Sequence, residues 1–371
     1  MTIDLAEEHK ELRDSVRRFL TDRAPMSTVR ELMETGHGMD LAVWKQAGMQ
    51  LGLQGIAIPE EYGGAGFTFV EQAIVLEELG AALYGGPYLA SAVLAANALL
   101  ASRDEQACHE LLPGIASGET IATLAFTEDS GSWDTESIRM SAVRSGDAWV
   151  LDGHKSFVLS GHIADLVLAV ATTEAGPTLF AVDSDADGLS PALLPTLDQT
   201  RKLARLEFDS VAAHPIGAPG DAARILDRTL DVAAIALAAE QLGGAQRVLD
   251  TAVEYAKIRY QFGRPIGSYQ AIKHRCADLL VEVETLRSGV THATSAVSSN
   301  SDEIPVVAPL VKAYGSETFF HVAAENIQIH GGIGFTWEHD AHLYFKRAKS
   351  SELFLGDGTY HRERLAQRIG L

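Results

Sequence analysis

The sequence predicts a mainly α-helical protein with a central β domain, because the spacing of its apolar residues changes twice along the chain. Residues 1–118 and 221–371 show apolar residues at helical spacing, whereas residues 119–220 contain short β-rich runs separated by Gly, Asp, Ser and Pro. The length of 371 residues also exceeds what one hydrophobic core usually supports. We therefore expect three domains with these boundaries, in the order helical, β and helical.

The first domain is predicted to contain four helices. The opening helix runs from Leu5 to the vicinity of Pro25, since a proline disfavours helical conformation in the residue before it. The other three helices cover residues 41–51, 70–83 and 88–101, and the last of them is rich in Ala and Leu and should be buried.

The second domain is predicted to be an antiparallel barrel or sandwich. Its β-rich runs lie close together without helices between them, which argues against a doubly wound parallel sheet. The runs are residues 120–126, 148–151, 155–159, 166–171, 178–182 and 203–208.

The third domain is predicted to be a four-helix bundle. Its four helical segments cover residues 225–258, 269–298, 304–329 and 340–369. Long segments joined by short connections are typical of antiparallel bundles.

Composition narrows the class of protein. A net charge of -20 argues against nucleic acid or an anionic membrane surface as partner. Cys108 and Cys276 are the only cysteines and lack metal-ligand spacing, and no zinc-binding motif is present, so no metal site is expected. Without an apolar signal core or a run of transmembrane length, the chain is expected to be cytoplasmic and not inserted in a membrane.

The stretch Arg259–Gln270 lies between two predicted helices and combines two arginines, several aromatics and two glycines. Arginine forks suit a pyrophosphate and glycines allow close backbone approach, so the stretch suits an anionic, partly aromatic ligand. A helix corner with solvated arginines explains the same residues, and taken alone the stretch favours that simpler interpretation.

Two further loops interrupt the pattern, at residues 125–134 and 328–336. The second contains Gln328 and a cluster of glycines, but it does not follow a strand and open a helix as the dinucleotide fingerprint requires. His330 is interpreted as a packing or turn histidine.

Together these loops closely resemble the acyl-CoA dehydrogenase family over nearly the whole chain. The matching motifs are Pro59-x-x-Tyr-Gly-Gly-x-Gly, Thr127-Glu128, Leu151-x-Gly-x-Lys155, Arg259-x-Gln-Phe-Gly-x-Pro-Ile, Ala277-Asp278 and Gln328-x-His-Gly-Gly-x-Gly. The resemblance implies an N-terminal helical domain, a β-barrel and a C-terminal four-helix bundle. It also implies non-covalent FAD, an acyl-CoA substrate, electron-transferring flavoprotein as the acceptor, and a tetramer built from dimers.

The resemblance also implies roles for individual residues. Arg259, Gln261 and Phe262 should meet the FAD pyrophosphate of a neighbouring subunit, and Gln270 with the backbone of Gln328, Gly331 and Gly332 should line its adenosine half. Phe126 and Thr127 should lie near the flavin ring, Trp133 at the substrate, and Gly358 and Thr359 should close the site.

The family removes the α-proton of an acyl thioester with a carboxylate, usually the glutamate of a Tyr-Glu-Gly-Thr run. Here the run is Gly356-Asp357-Gly358-Thr359, so Asp357 is the predicted base. Burial beside an apolar acyl chain would raise the pKa of this carboxyl group and suit it to work near neutrality. Aspartate reaches about 1.5 Å less far, and Gly356 could let the backbone shift to compensate.

Several positions on the substrate side depart from the family pattern. Ala233 and Ala234 stand where some relatives have an alternative base and an arginine, and Leu159 stands where a threonine often reaches the flavin. Strand alternation predicts that Ser160 faces away from it. These departures motivate an alternative, an FAD-binding but weakly or non-catalytic subunit of a heteromeric dehydrogenase. A scaffold without flavin and an oxidase that uses O2 are further alternatives.

The acyl group is not determined by any motif, so a linear fatty acyl chain and a branched or polycyclic group such as a sterol side chain both remain open. Among the other charged residues, Glu128 is interpreted as a turn or cap carboxylate. Lys155 and Asp165 are interpreted as a structural ion pair or as solvated charges.

Overall fold

The computed structural model describes residues 7–146 and 148–371, so Leu5 of the predicted first helix lies outside the described residues. The chain divides into two compact units. The bundle unit comprises the segment up to Arg30, Phe69–Tyr84 and Ala234–Leu371. The barrel unit comprises Glu31–Thr68 and Gly85–Ala233. The boundaries of the three predicted domains stay predictions.

Within the described residues, helices lie before and after a block of strands in the middle of the chain. They are α1 (Glu7–Arg23), α2 (Met26–Met33), α3 (Leu41–Leu51), α4 (Phe69–Ala81), α5 (Ala96–Ser102), α6 (Glu105–Ser117), α7 (Ala222–Ile258), α8 (Gln270–Ser298), α9 (Ile304–His330), α10 (Ala341–Leu353) and α11 (Gly358–Arg368). A π-helical segment, Leu89–Ala95, leads directly into α5.

The strands are β1 (Ala122–Ala125), β2 (Ser141–Ser145), β3 (Ala148–Leu159), β4 (Leu166–Thr173), β5 (Gly176–Asp183), β6 (Leu189–Leu194) and β7 (Leu203–Ile216), with a separate pair, β8 (Tyr260–Gln261) and β9 (Arg264–Pro265). Strands β4, β2, β3, β7 and β5 are neighbours in that order, and β5 pairs again with β4, which closes the sheet into a barrel. The predicted fold class, helical domains around a β-barrel, is thus confirmed.

The barrel departs from the prediction in its strand directions. Most pairs are antiparallel, but β1 runs parallel to β4, with Ala122 opposite Leu166. The runs predicted at residues 148–151 and 155–159 form one strand, β3, whose register with β7 shifts at two points. Strands β2 and β6 were not predicted, because β2 is short and mostly exposed and β6 is a largely exposed strand that contains Pro191.

The barrel core is filled by small and branched side chains. Alternate residues of β3, β4, β5 and β7 point inward, as the pleat of a strand requires. The cluster includes Leu151, Val158, Val167, Phe180, Leu206 and Val211.

In the bundle unit, α4 and α7 approach closely at two glycines. A β-carbon on Gly80 would lie 2.0 Å from the Glu240 carbonyl oxygen, and one on Gly243 would lie 1.8 Å from the Glu77 carbonyl oxygen. Only residues without a side chain permit this helix spacing.

Three helix predictions need correction. Helices α2 and α6 were missed, the second because Pro113 interrupts its pattern although Asp104 caps its first turn. The segment predicted as one helix over residues 340–369 is two, α10 and α11, divided at Phe354–Asp357. The physical reason is a left-handed backbone at Leu355 (φ 62°) and Gly356 (φ 97°), which no α-helix contains. No helix in the described part of the chain is long and apolar enough to cross a membrane.

Candidate active site

The motif that follows α7 forms a tight hairpin. Strands β8 and β9 pair, and the two residues between them, Phe262 (φ 52°) and Gly263 (φ 83°), both have positive φ, as a type I′ turn requires. Phenylalanine is costly in this conformation, by roughly 1 kcal/mol, and its side chain is 93% exposed here. An exposed ring held at such a cost is a candidate for contact with a ligand or another subunit.

The polar side chains of the same motif are directed to solvent. Arg259, Gln261 and Gln270 are all exposed. The guanidinium of Arg264 lies 3.9 Å from the centre of the Tyr269 ring, and the Tyr269 hydroxyl donates to the Gln261 carbonyl. Arg264 therefore supports the hairpin. The main chain of Arg259 bonds to Tyr255 and Ile266, while its side chain is exposed.

The glycine-rich loop after α9 has an open backbone. A β-carbon on Gly331 or Gly332 would meet no atom within 4 Å, and Gly331 has a φ of 64°. Gln328, in the last turn of α9, is exposed, and so is Phe335, at 83%. The main chain of this loop is therefore accessible to a ligand.

His330 in the same region is a packing histidine, as expected. Its ring lies 4.2 Å from that of Tyr255 and 4.3 Å from that of His339, and its Nδ1 bonds to the Asn326 carbonyl at 2.8 Å. Burial lowers the pKa of His330, so the ring is neutral near pH 7.

Asp357 is the N-cap of α11. Its Oδ1 accepts the Tyr360 amide at 2.8 Å, and the side chain is exposed in the isolated chain. The burial expected for a base must therefore come from bound molecules or a neighbouring subunit. Gly358 is buried and Thr359 is exposed beside it.

Gly356 cannot hold a side chain as the backbone stands. A β-carbon there would lie 2.2 Å from Cδ1 of Tyr360, whose ring covers the position. The departure from the family's aromatic residue at this position is thus accompanied by an aromatic ring four residues later.

The barrel unit brings three predicted residues together. Phe126 and Thr127 are buried at the end of β1, and the Thr127 hydroxyl donates to the Ser156 carbonyl on β3. The ring of Trp133 lies 5.8 Å from that of Phe126 and is tilted by 56°. The predicted substrate residue therefore contacts a predicted flavin residue.

A buried ion pair holds this loop. The Lys155 ammonium, fully buried, donates to Glu128 Oε1 at 2.8 Å and to the Phe126 carbonyl at 3.3 Å. Glu128 also accepts the amides of Arg139 and Met140, so it is a turn carboxylate, as expected. Burial lowers the pKa of Lys155 to about 8. For Glu128, burial alone would raise the pKa, but the hydrogen bond from Lys155 and those from the main chain outweigh this effect, so the pKa of Glu128 is lowered. Asp165, the other candidate partner of Lys155, instead accepts the Ile121 amide.

Phe157 is an aromatic residue that the sequence reasoning missed. It sits at the register shift of β3, has a φ of 59° and is 39% exposed beside the Thr127–Ser156 contact. Ser160 also has a positive φ, 55°, beyond the end of β3, so strand alternation does not apply to it and its direction stays a prediction. Ala233 and Ala234 are buried and offer no polar group.

The predicted site residues therefore fall into two groups. Phe126, Thr127 and Trp133 belong to the barrel unit, and the remainder belong to the bundle unit. Among the described residues, no cluster of His, Cys, Asp or Glu could hold a metal ion.

Comparison with known proteins decides the family. Three family models match in order: the acyl-CoA dehydrogenase N-terminal domain over residues 6–119, the middle domain over 123–211 and the C-terminal domain over 222–370. The chain belongs to the acyl-CoA dehydrogenase family. It is therefore an oxidoreductase acting on CH–CH bonds, and the family's reaction is FAD-dependent dehydrogenation of an acyl-CoA.

Individual relatives match over nearly the full length. The acyl-CoA dehydrogenase IpdE2 of Mycobacterium tuberculosis is 40% identical over 94% of this chain and 93% of its own. IpdE2 of Mycolicibacterium smegmatis is 37% identical over 98% of this chain and 100% of its own. Among solved structures, a variant of the Tcur3481-Tcur3483 steroid ACAD is 33% identical, with a TM-score of 0.87 and 98% of each chain covered.

The exposed residues of the bundle unit have the chemistry that FAD requires. Arg259 offers a fixed cationic fork, Gln261 and Gln328 offer amide groups, and Gly331 and Gly332 offer open main chain. This donor set fits a pyrophosphate and an adenosine, so the residues present are compatible with the cofactor of the family.

Proposed function

We propose that this protein converts an acyl-CoA thioester to a trans-2-enoyl-CoA, with Asp357 as the base. The carboxylate takes the α-proton, the β-hydrogen leaves with its electron pair, and the Cα–Cβ double bond forms. FAD, when bound, would supply the two-electron acceptor for this hydrogen. The observation that carries the proposal is the exposed carboxylate at the first turn of α11, in the sequence position of the family's base.

The local geometry suits Asp357 to this role. Oδ1 is held by the Tyr360 amide, which fixes the carboxylate, while Oδ2 is left to accept a proton. A helix N-terminus favours a negative charge, and a general base must be in its charged form.

The roles of the cofactor residues are likewise proposed from their positions in the family's motifs. Arg259, Gln261 and Phe262 would contact the FAD pyrophosphate of a neighbouring subunit, while Gln270, Gln328, Gly331 and Gly332 would line the adenosine half. Phe126, Thr127 and Thr359 would face the flavin, and the exposed ring of Phe157 joins this group. Trp133 and Gly358 would contact the acyl thioester.

For the substrate class, we propose a fatty acyl or steroid-derived acyl-CoA. The half-buried Trp133 against Phe126 supports a reshaped pocket, and the similar steroid ACAD supports a polycyclic group. The steroid ACAD is named as a pair, Tcur3481-Tcur3483. This supports assembly of the present chain with a related subunit as an alternative to a homo-oligomer. Electron-transferring flavoprotein is the proposed acceptor.

The test is purification of the chain, alone and with related subunits, followed by anaerobic titration of the flavin spectrum with a panel of acyl-CoA thioesters. We expect bleaching by the correct thioester. Asp357→Asn keeps an N-cap acceptor, so the fold should persist, and turnover should fall by roughly 10²–10⁴-fold.

Asp40→Asn is the matched control, since Asp40 is an exposed N-cap aspartate of α3 whose Oδ1 accepts the Ala42 amide at 2.8 Å. Its turnover should equal that of the wild type. Full activity in Asp357→Asn would refute the assignment of the base. The similarity to known acyl-CoA dehydrogenases does not favour the alternative of a weakly or non-catalytic subunit. A purified flavoprotein whose spectrum no thioester bleaches would support that alternative.

A further inference from the structure

Asp357 directly follows a turn whose backbone conformation is unfavourable for a residue with a side chain. Leu355, a branched side chain, has a φ of 62°, and Gly356 follows with a φ of 97°. A residue with a side chain is disfavoured in the left-handed region and persists there only when surrounding groups hold it.

Lys312 holds one carbonyl of this turn. Its side chain lies on α9, is fully buried, and donates from Nζ to the Gly356 carbonyl at 3.0 Å and to the Glu352 carbonyl at 3.2 Å. The Glu352 carbonyl lies in the last turn of α10 and the Gly356 carbonyl lies just after it. A cation is favoured at this end of a helix.

A buried network fixes Lys312 in turn. Its Nζ also donates to the Ser316 hydroxyl at 2.9 Å, and the Gln241 amide on α7 donates to the same hydroxyl at 3.1 Å. Gln241 and Ser316 are fully buried. Lysine is almost never completely buried without such a set of partners, and the network connects the turn to two long helices.

His361 holds the adjacent carbonyl. Its Nε2 lies 2.9 Å from the Leu355 carbonyl oxygen, and its own amide donates to the Asp357 carbonyl at 3.0 Å. Because burial keeps this imidazole neutral, Nε2 is the protonated nitrogen and donates. Both positive-φ residues of the turn therefore have their carbonyls bound by a buried side chain.

We propose that Lys312 and His361 are positioning residues, which fix the Leu355–Gly356 turn so that Asp357 reaches the α-carbon of the substrate. The proposal rests on the function proposed for Asp357. Aspartate is the shorter of the two acidic side chains, so its placement depends more closely on the backbone. A displacement of about 1 Å costs roughly a hundredfold in rate.

The test uses the flavin-loaded protein with the thioester that bleaches it. Lys312→Met keeps length and apolar packing but removes the donors. We expect kcat to fall roughly 10–100-fold, KM to stay within about threefold, and the isotope effect of an α-deuterated substrate to grow. Hydrogen exchange of residues 354–357 should accelerate in the same variant, with or without flavin.

Tyr344→Phe is the matched control. Tyr344 lies on α10 and donates to the Ala81 carbonyl at 2.6 Å, so its loss removes a buried hydrogen bond from the same helix without altering the turn. Its hydrogen exchange over 354–357 and its isotope effect should match the wild type.

Distinct outcomes separate this proposal from the proposed function. If Asp357→Asn abolishes turnover while Lys312→Met leaves kcat, isotope effect and exchange unchanged, the positioning role is refuted and the base stands. Equal effects of Lys312→Met and Tyr344→Phe also refute it, since the loss is then general destabilisation. Full turnover in Asp357→Asn refutes the proposed function itself, and the exchange measurement still reports whether Lys312 holds the turn.

Discussion

Lys155 in the barrel unit and Lys312 in the bundle unit are both fully buried, and each donates to the main chain of a loop that carries predicted site residues. They differ in their acceptors. Lys155 binds the carboxylate of Glu128 as well as the Phe126 carbonyl, whereas Lys312 donates to two carbonyls and a hydroxyl.

The difference indicates how each loop responds to change. In the barrel unit the loop depends on an ion pair, and removal of one partner leaves a buried charge. In the bundle unit the two carbonyls that Lys312 binds are neutral acceptors near a helix end, so we expect the turn to respond most to changes at its positive-φ residues.

The largest effect is expected from breaking the ion pair. Glu128→Ala should lower the free energy of unfolding by roughly 3–5 kcal/mol, because the Lys155 ammonium is left buried without its carboxylate. Urea unfolding measures the loss. The exposed Glu136→Ala, on the same loop, should change it by less than about 0.5 kcal/mol.

The double variant Glu128→Ala/Lys155→Met should recover part of this stability, since no charge then remains buried. A double variant no more stable than Glu128→Ala alone would contradict the ion-pair explanation.

An intermediate effect is expected at the strained turn. Gly356→Ala should cost about 2–3 kcal/mol, because alanine is disfavoured at a φ of 97° and its methyl group would meet the Tyr360 ring. Thermal unfolding measures the loss, and Gly36→Ala, where nothing lies within 4 Å, is the control. Adding Tyr360→Ala should remove the steric part and leave the backbone part. If Gly356→Ala matched the control, the turn would be free of strain.

The smallest effect is a pH dependence at the same turn. Burial, and then the charge of Lys312, lower the pKa of His361 to about 3. An unfolded histidine binds a proton near pH 6.5, so on acidification the unfolded chain takes up a proton that the folded chain refuses. Stability should therefore fall as the pH drops below 6.5, by about 1 kcal/mol between pH 7 and 5.5.

Unfolding measured across this range in the wild type and in His361→Gln provides the check, with the exposed His274→Gln as control. The slope should be shallower only in His361→Gln. Equal slopes in all three proteins would show that His361 does not titrate in this window.

Much of the fold could be predicted because its signals are local. Helix α3 has the predicted bounds, since Asp40 caps its start and Gly52, with a φ of 61°, ends it. The helix that precedes the hairpin motif ends as expected at Ile258. In contrast, α6 was missed because its proline lies inside the helix, where local rules argue against one.

Other features depend on residues far apart in the chain. The partner of Lys155 is Glu128 and not Asp165, because the residues that follow β1 bond to β3, where the Ser156 amide donates to the Thr127 carbonyl. The turn between α10 and α11 is bound by Lys312, which lies on a different helix, 44 residues before Gly356.

The sequence by itself determined the family and most of the helical and β regions, and it predicted FAD and a candidate base, because those follow from residue types at fixed spacing. Only the tertiary structure decided which carbonyls Lys312 and His361 bind, that Phe262 is presented in a strained turn, and that Trp133 lies against Phe126. Buried polar groups choose partners by three-dimensional proximity, and spacing along a chain does not contain that information.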